Sequence, residues 1–230
     1  MMQQGVHVSS VDSVDGVGLI EIRRPHRRNA VDLASARAIS AGLRQLAGDP
    51  GCRVILLCGQ GGDLSAGADL KAVDEQPTPA GQPSARTTML ADLAASLLPV
   101  VAVVDGWAIG TGLGLAAAAT FTVAGEGSRF QLPEVSQGFY PYQVVPHLVR
   151  RVAPEVVLRW ALSGVTVGAA EAAAAGLVTT VCADGQAEST ARQLARELAT
   201  GPRHVVETGM RWWQDVTGAG GRTVAAGRIG

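Results

Sequence analysis

Two hydrophobic rhythms alternate along this chain. Short runs rich in Val, Ile and Leu, VGLIEIR at 17–23 and RVILLCG at 53–59, are bounded by glycine and turn residues and read as strands. Between them, Leu33, Ala36, Ile39, Leu43 and Leu46 recur at helical spacing, with Asp32 placed to cap the helix and Gly48 and Pro50 to stop it. A second cycle predicts a helix over 87–98, a strand over 99–105, an alanine-rich helix from about Gly110 and a short strand over 121–125. This βαβ rhythm implies a largely parallel sheet with helices packed on it, an α/β fold. After Gly138 the pattern is mostly helical and includes TVGAAEAAAAGL, where Thr166 is placed to cap a helix and Gly176 to close it. The Pro-rich stretch at 74–84 reads as a mobile surface loop, and the glycine-rich residues 217–230 as a frayed end.

Composition narrows the classes. With 230 residues, one substantial domain is expected, and a chain of this length buries about 70% of its unfolded surface without a disulfide or metal. A formal net charge of −1 argues against a nucleic-acid partner. The opening residues carry no basic segment followed by an apolar one, and no apolar run approaches the ~18–20 residues of a membrane span. Cys52, Cys58 and Cys182 show no metal-ligand spacing, and Cys52 and Cys58 flank a strand as small hydrophobes would. A cytoplasmic location without bound metal is the expectation. The unusual figure is 29 glycines, which means that the backbone turns tightly or approaches something closely.

Two of those glycine-rich segments, Ser65–Lys71 and Gly106–Gly114, each follow a predicted strand and open a helix. Amides at such turns point outward, unpaired, along a favourable helix dipole. Two turns on neighbouring strands can aim two N–H donors at one oxygen; either segment alone reads more readily as an ordinary tight turn, and the pair together is the more specific signal. Other motifs fit worse. GTGLG at 110–114 lacks the third glycine of a dinucleotide fingerprint, since Leu115 occupies that place. No phosphate loop is possible around the single lysine, Lys71, and no GxSxG occurs.

Taken in order, IRRPHRRNAVD at 22–32, SAGADLK at 65–71, PVVAVVDGWAIGTGLGLA at 99–116, FQLPEVSQGFYP at 130–141 and LSGVTVGAAEAAAAGLV at 162–178 resemble the crotonase (enoyl-CoA hydratase/isomerase) superfamily. The resemblance spans about Val6 to Met210. It implies a spiral of ββα turns, here with a shortened helical C-terminal region: a core over 1–200 and a short helical region with a disordered tail over 201–230. It also implies a homotrimer or dimer of trimers that binds acyl-CoA thioesters, with no cofactor beyond the coenzyme A of the substrate. The family's two oxyanion amides map onto Ala68 and Thr111, where the family often has glycine at the second. Substrate and CoA contacts map onto Arg27, Arg28, Ala30, Ala66, Gly67, Asp69, Leu70, Ala108, Gly110, Gly112 and Pro133. The arginines are equally readable as a solvated basic turn.

Hydratases of this family typically use two glutamates that share a water. The second maps onto Glu134, while the first falls on Gly114, which has no side chain. One carboxylate suffices to move a proton along an acyl chain, so isomerase-like enolate chemistry is favoured over hydration. The alternatives are a non-catalytic acyl-CoA binder and an enzyme acting on carrier-protein thioesters. The YQVVPHL segment at 142–148 replaces a glycine-rich family stretch and is expected to reshape the acyl pocket, with His147 either a second acid or base or simply structural. The family's final helices, which help cover the acyl and adenine ends, are expected to be missing here.

Overall fold

A computed structural model describes residues 2–3, 5–9, 15–69 and 83–218. Five strands of its larger sheet are β1 (Met2–Gln3), β2 (Val6–Ser9), β3 (Val17–Ile22), β4 (Val54–Gly59) and β5 (Val100–Val104). Helix α1 (Leu33–Gly48) joins β3 to β4, and α2 (Ala85–Ala94) precedes β5. The chain then runs through β6 (Trp107–Ile109), α3 (Thr111–Ala118), β7 (Phe121–Gly125) and β8 (Arg129–Gln131). Its later part comprises α4 (Val145–Leu148), α5 (Pro154–Ser163), β9 (Val167–Gly168), α6 (Ala169–Ala174), β10 (Thr180–Cys182), α7 (Ala187–Leu198) and α8 (Arg203–Gly218).

The seven-stranded sheet has the order β1-β2-β3-β4-β5-β7-β10. From β3 to β10 its pairings are parallel, as the rhythm predicts, while β1 and β2 add an antiparallel edge. Strand β4 is buried along almost its whole length because both of its faces are covered. Ile55 and Leu57 face the core formed with α1, α2 and α3; Val54, Leu56 and Cys58 face Ala187, Ala191 and Ala195 of α7. Burial raises the Cys58 thiol to about 12, which keeps it protonated and inert.

Several elements depart from the sequence expectations. A second sheet, β6-β8-β9, stands apart from the first, and its two- and three-residue strands carry too little pattern to be read. Thr166 caps nothing: Val167 and Gly168 pair with β8 instead, and α6 starts at Ala169. Gly176 does close α6, at φ +90° with Leu177 N–H bonded back to Ala172 O at 2.9 Å. Ser84, expected in a loop, caps α2 by accepting from Thr87 N–H at 3.1 Å; residues 74–82 of that loop lie outside the described residues. The final region is helical through Gly218, and residues 219–230 also lie outside the described residues. Arg203 ties α8 to the carbonyls of Ala47, Asp49 and Cys52, and Gln214 donates to Ser96 O at 2.8 Å. No helix among the described residues is long and apolar enough to cross a membrane.

Two glycines make the packing of the central turns testable. A Cβ on Gly112 would lie 2.3 Å from Ser65 O, a main-chain atom that cannot swing away, whereas a Cβ on Gly48 meets nothing within 4 Å. Gly112→Ala should cost about 1–3 kcal/mol, as overpacking of a fitted interior does. Gly48→Ala should be neutral or gain up to ~1 kcal/mol. Urea denaturation midpoints of the two variants check both signs.

Candidate active site

The turn after β3 is built from side chains that grip main chain. Arg28 and Asn29 both take left-handed conformations (φ 49° and 57°), which ordinary residues resist. The buried Asn29 explains its own: its amide donates to Gln60 O and Asp63 O at 2.9 and 2.7 Å, and its oxygen accepts from Arg24 N–H at 3.0 Å. Beside it, the Arg24 guanidinium pairs with Asp69 at 2.8 Å and Asp32 at 3.1 Å and also donates to Ala30 O. Asp32 in turn caps α1 through Ser35 N–H at 2.6 Å. One arginine thus locks the first turn to the start of α1 and to the Ser65–Asp69 turn.

That second turn is held on both sides by main chain. Ala66 N–H donates to Arg28 O at 2.9 Å and Val31 N–H to Gly67 O at 2.8 Å, while Ile109 N–H donates to Ser65 O at 3.0 Å from the other side. Gly67, at φ +103°, lies so close to the third turn that a Cβ there would sit 3.1 Å from Ile109 O and 3.9 Å from Thr111 N. Thr111 is the first residue of α3, a helix with no side-chain cap. Among the described residues, neither the Ala68 nor the Thr111 amide donates a hydrogen bond. Two unpaired N–H donors therefore stand on adjacent turns, one of them at a helix N-terminus where developing negative charge is favoured.

Both amides border a cavity of about 620 Å³. Ala66, Gly67, Gly110, Pro133 and Glu134 line it with them, as does Arg28. Arg28 reaches it while paired with Asp63 at 2.8 Å and lying 5.6 Å over the Trp107 ring. Glu134, on a short 3-10 turn after Pro133, is 8% exposed, and its Oε2 is fully buried with no hydrogen-bond partner. Its Oε1 lies so near Gly110 that a Cβ on that glycine would come within 2.7 Å. Burial raises the Glu134 pKa above the usual carboxylate range, against a smaller opposing pull from its own backbone N–H. Among the described residues, Glu134 is the only carboxylate on the cavity wall.

Other candidates lie off this wall. Arg27 is exposed on its turn, Ala30 is buried behind Arg24, and Ala108 is fully buried in β6. Asp69 is engaged by Arg24, and Gly112 packs against Ser65. Leu70 lies outside the described residues. His147 belongs to a separate cavity of about 110 Å³ with Arg150, Arg151 and Trp213, where burial and then the Arg150 charge lower its pKa. The segment expected to be bulky does reach the main cavity, through Tyr142, Gln143 and Val144. Sequence reasoning missed Arg86, Gln131 and Tyr140 on the wall, and Arg24 behind it. No spacing signals them, because they meet the site only through tertiary contacts.

Comparison with known proteins agrees with this architecture. The family model described as enoyl-CoA hydratase/isomerase matches residues 12–217. The 2,3-dehydroadipyl-CoA hydratase of Escherichia coli is 34% identical over 182 residues, 79% of this chain and 71% of that protein. A 4-chlorobenzoyl coenzyme A dehalogenase of Arthrobacter is 30% identical over 220 residues, 89% of this chain and 77% of the relative. The crystal structure of an enoyl-CoA hydratase from Mycobacterium tuberculosis, 31% identical, superposes with a TM-score of 0.83 over 93% of this chain and 83% of that one. By sequence and by fold, this chain belongs to the enoyl-CoA hydratase/isomerase family of acyl-CoA enzymes.

Proposed function

We propose that this protein moves a proton along the acyl chain of an enoyl-CoA thioester, with Glu134 as its single acid and base. The observation that carries the reading is the pairing of one desolvated carboxylate with two unpaired amides, in a cavity whose described wall holds no second carboxylate. In this reading the thioester carbonyl accepts from the Ala68 and Thr111 amides. Ionised Glu134 removes a proton from the α-carbon of a 3-enoyl thioester, and the electron pair spreads onto the carbonyl oxygen and, through the double bond, onto the γ-carbon. Donors of this type stabilise such an oxyanion by ~2.7–4 kcal/mol each. Glu134 then returns the proton to the γ-carbon, and the double bond moves between the α- and β-carbons. No atom is gained or lost, so one carboxylate completes the cycle.

Its raised pKa fits this work, because a base that binds its proton more firmly is a stronger base toward a weakly acidic C–H. At position 114, where a hydratase of the family would carry its other glutamate, the α-carbon faces the side chains of Leu90 and Val144. Arg28 supplies positive charge at the cavity edge for the phosphates of coenzyme A. Trp212 and Trp213 on α8 are exposed apolar surface that the expected homotrimer would have a use for covering, and sedimentation of the purified chain tests that assembly.

Glu134→Gln should lower kcat for isomerisation of a 3-enoyl-CoA by about 10²–10⁴-fold while acyl-CoA binding persists, read by turnover and by calorimetric titration. Rapid hydration of crotonyl-CoA that survives this substitution would overturn the reading.

The same group predicts a pH dependence of stability. Its folded-state pKa lies above its unfolded one, so the native protein holds the proton more tightly. The resulting penalty is absent below the ordinary carboxylate range, grows as pH rises through the interval up to the folded value, and is complete above it. Glu134→Gln should therefore raise the urea midpoint at pH 7, and the gain over the parent should shrink toward zero near pH 4.

A further inference from the structure

Position 114, one turn beyond Gly110 on α3, holds a second determinant of which reaction occurs. Gly114 lies one turn along α3 from Thr111, and an ideal Cβ there would meet Leu90 Cδ1 at 3.0 Å, Leu90 Cδ2 at 3.3 Å and Val144 Cγ2 at 3.3 Å. These three nearest atoms are all methyl groups. Leu90, from α2, is fully buried, while Val144 is 3% exposed and itself lines the cavity. The position therefore lacks a carboxylate and is also filled. A side chain at 114 would start out against methyl groups that offer it no hydrogen bond, and a water held against the same methyls would draw no polar contact from them.

We propose that Leu90 and Val144 are specificity-determining residues, which keep an activated water away from position 114, behind the Val144 stretch of the cavity wall, and so confine the site to water-free proton transfer. The inference rests on the one-carboxylate reading of Glu134. It differs in claiming that the missing side chain at 114 is not by itself the barrier to hydration. Restoring the glutamate without removing its apolar neighbours should leave hydration unrestored. Restoring it with space made for it should allow water to add to a 2-enoyl thioester. In that addition the water oxygen bonds to the β-carbon, one of its protons passes to a carboxylate, and one proton reaches the α-carbon, so the product gains one water.

The test compares the full-length parent with Gly114→Glu, Gly114→Glu/Leu90→Ala and Gly114→Glu/Val144→Ala. Hydration of crotonyl-CoA is followed by loss of enoyl absorbance, and folding by circular dichroism and urea midpoint. The expected result is no gain for Gly114→Glu alone, and about 100-fold or more over that single variant for at least one folded double variant, the size of a positioned acid–base group. The Val144 double variant decides the matter if loss of Leu90 unfolds the protein. The proposal is overturned if Gly114→Glu alone hydrates as fast as the doubles, or if the folded doubles are no faster than the single. It also falls if neither double folds, since the two side chains would then serve only the core. Failure of the one-carboxylate reading has a different signature: a parent protein that does not isomerise 3-enoyl-CoA, or does so regardless of Glu134→Gln, whatever the hydration ratios.

Discussion

Everything at this site depends on two main-chain turns lying nearly in contact. The Ser65–Ala68 turn is pressed between the Arg28–Val31 segment and the Ile109–Thr111 turn, and hydrogen bonds between carbonyls and amides fix it on both sides. Side chains cannot intrude: a Cβ at Gly112 would strike Ser65 O at 2.3 Å, and one at Gly110 would strike the Glu134 carboxylate at 2.7 Å. Close approach leaves the Ala68 and Thr111 amides unspent beside the cavity, while the Ala66, Gly67, Asp69, Ile109 and Gly110 amides are consumed in holding the turns together. Because these donors belong to the backbone, their positions follow from the fold and not from rotamer choice. Such donors need little reorganisation when charge appears on a bound oxygen.

Glu134 meets the opposite constraint. Its carboxylate is buried where one oxygen has no partner, an arrangement that costs stability in the ionised form. Short-range structure holds it there all the same. Pro133 leads the 3-10 turn, and Phe139 N–H returns to Glu134 O at 3.1 Å, with Gly138 at φ +88° closing the turn. The compensating interactions lie one layer back, in the Arg24 clamp on Asp32 and Asp69 and in the Asn29 side chain, which satisfies two carbonyls and one amide. A well-satisfied polar network thus supports a poorly satisfied catalytic candidate, a common division between scaffold and site.

How far this was legible in the sequence varies with the physics of each element. β4 and β5 are buried on both faces, so their composition alone marks them, and α1 shows itself by five apolar positions and the Asp32 cap. The β6-β8-β9 sheet does not, because its strands of two or three residues show no period; Val167 and Gly168 read as the start of a helix for that reason. The glycine turns were visible as a pair, and Ala68, Thr111 and Glu134 do border one cavity. Asp69 is among the substrate contacts that the family resemblance implies, yet the Arg24 guanidinium, 45 residues earlier in the chain, pairs with it. The three arginines of the first turn differ in the same way. Arg24 is structural, Arg27 is exposed and Arg28 reaches the cavity, and only tertiary partners separate them.

Position 114 shows why an absent side chain is informative only with its surroundings. Taken alone, a glycine in place of a carboxylate means a lost function that a single substitution would restore. Leu90 and Val144 change that meaning, because a fully buried leucine methyl 3.0 Å from the missing Cβ shows that the packing has closed over the gap. Interiors are close-packed, so a vacated position persists as a void only at a cost in stability, and neighbouring methyls that fill it recover the lost contacts. On the proposed reading, filling this one keeps a second polar group off the helix that carries the Thr111 amide. The apolar packing at 114 and the raised proton affinity of Glu134 are thus both products of burial.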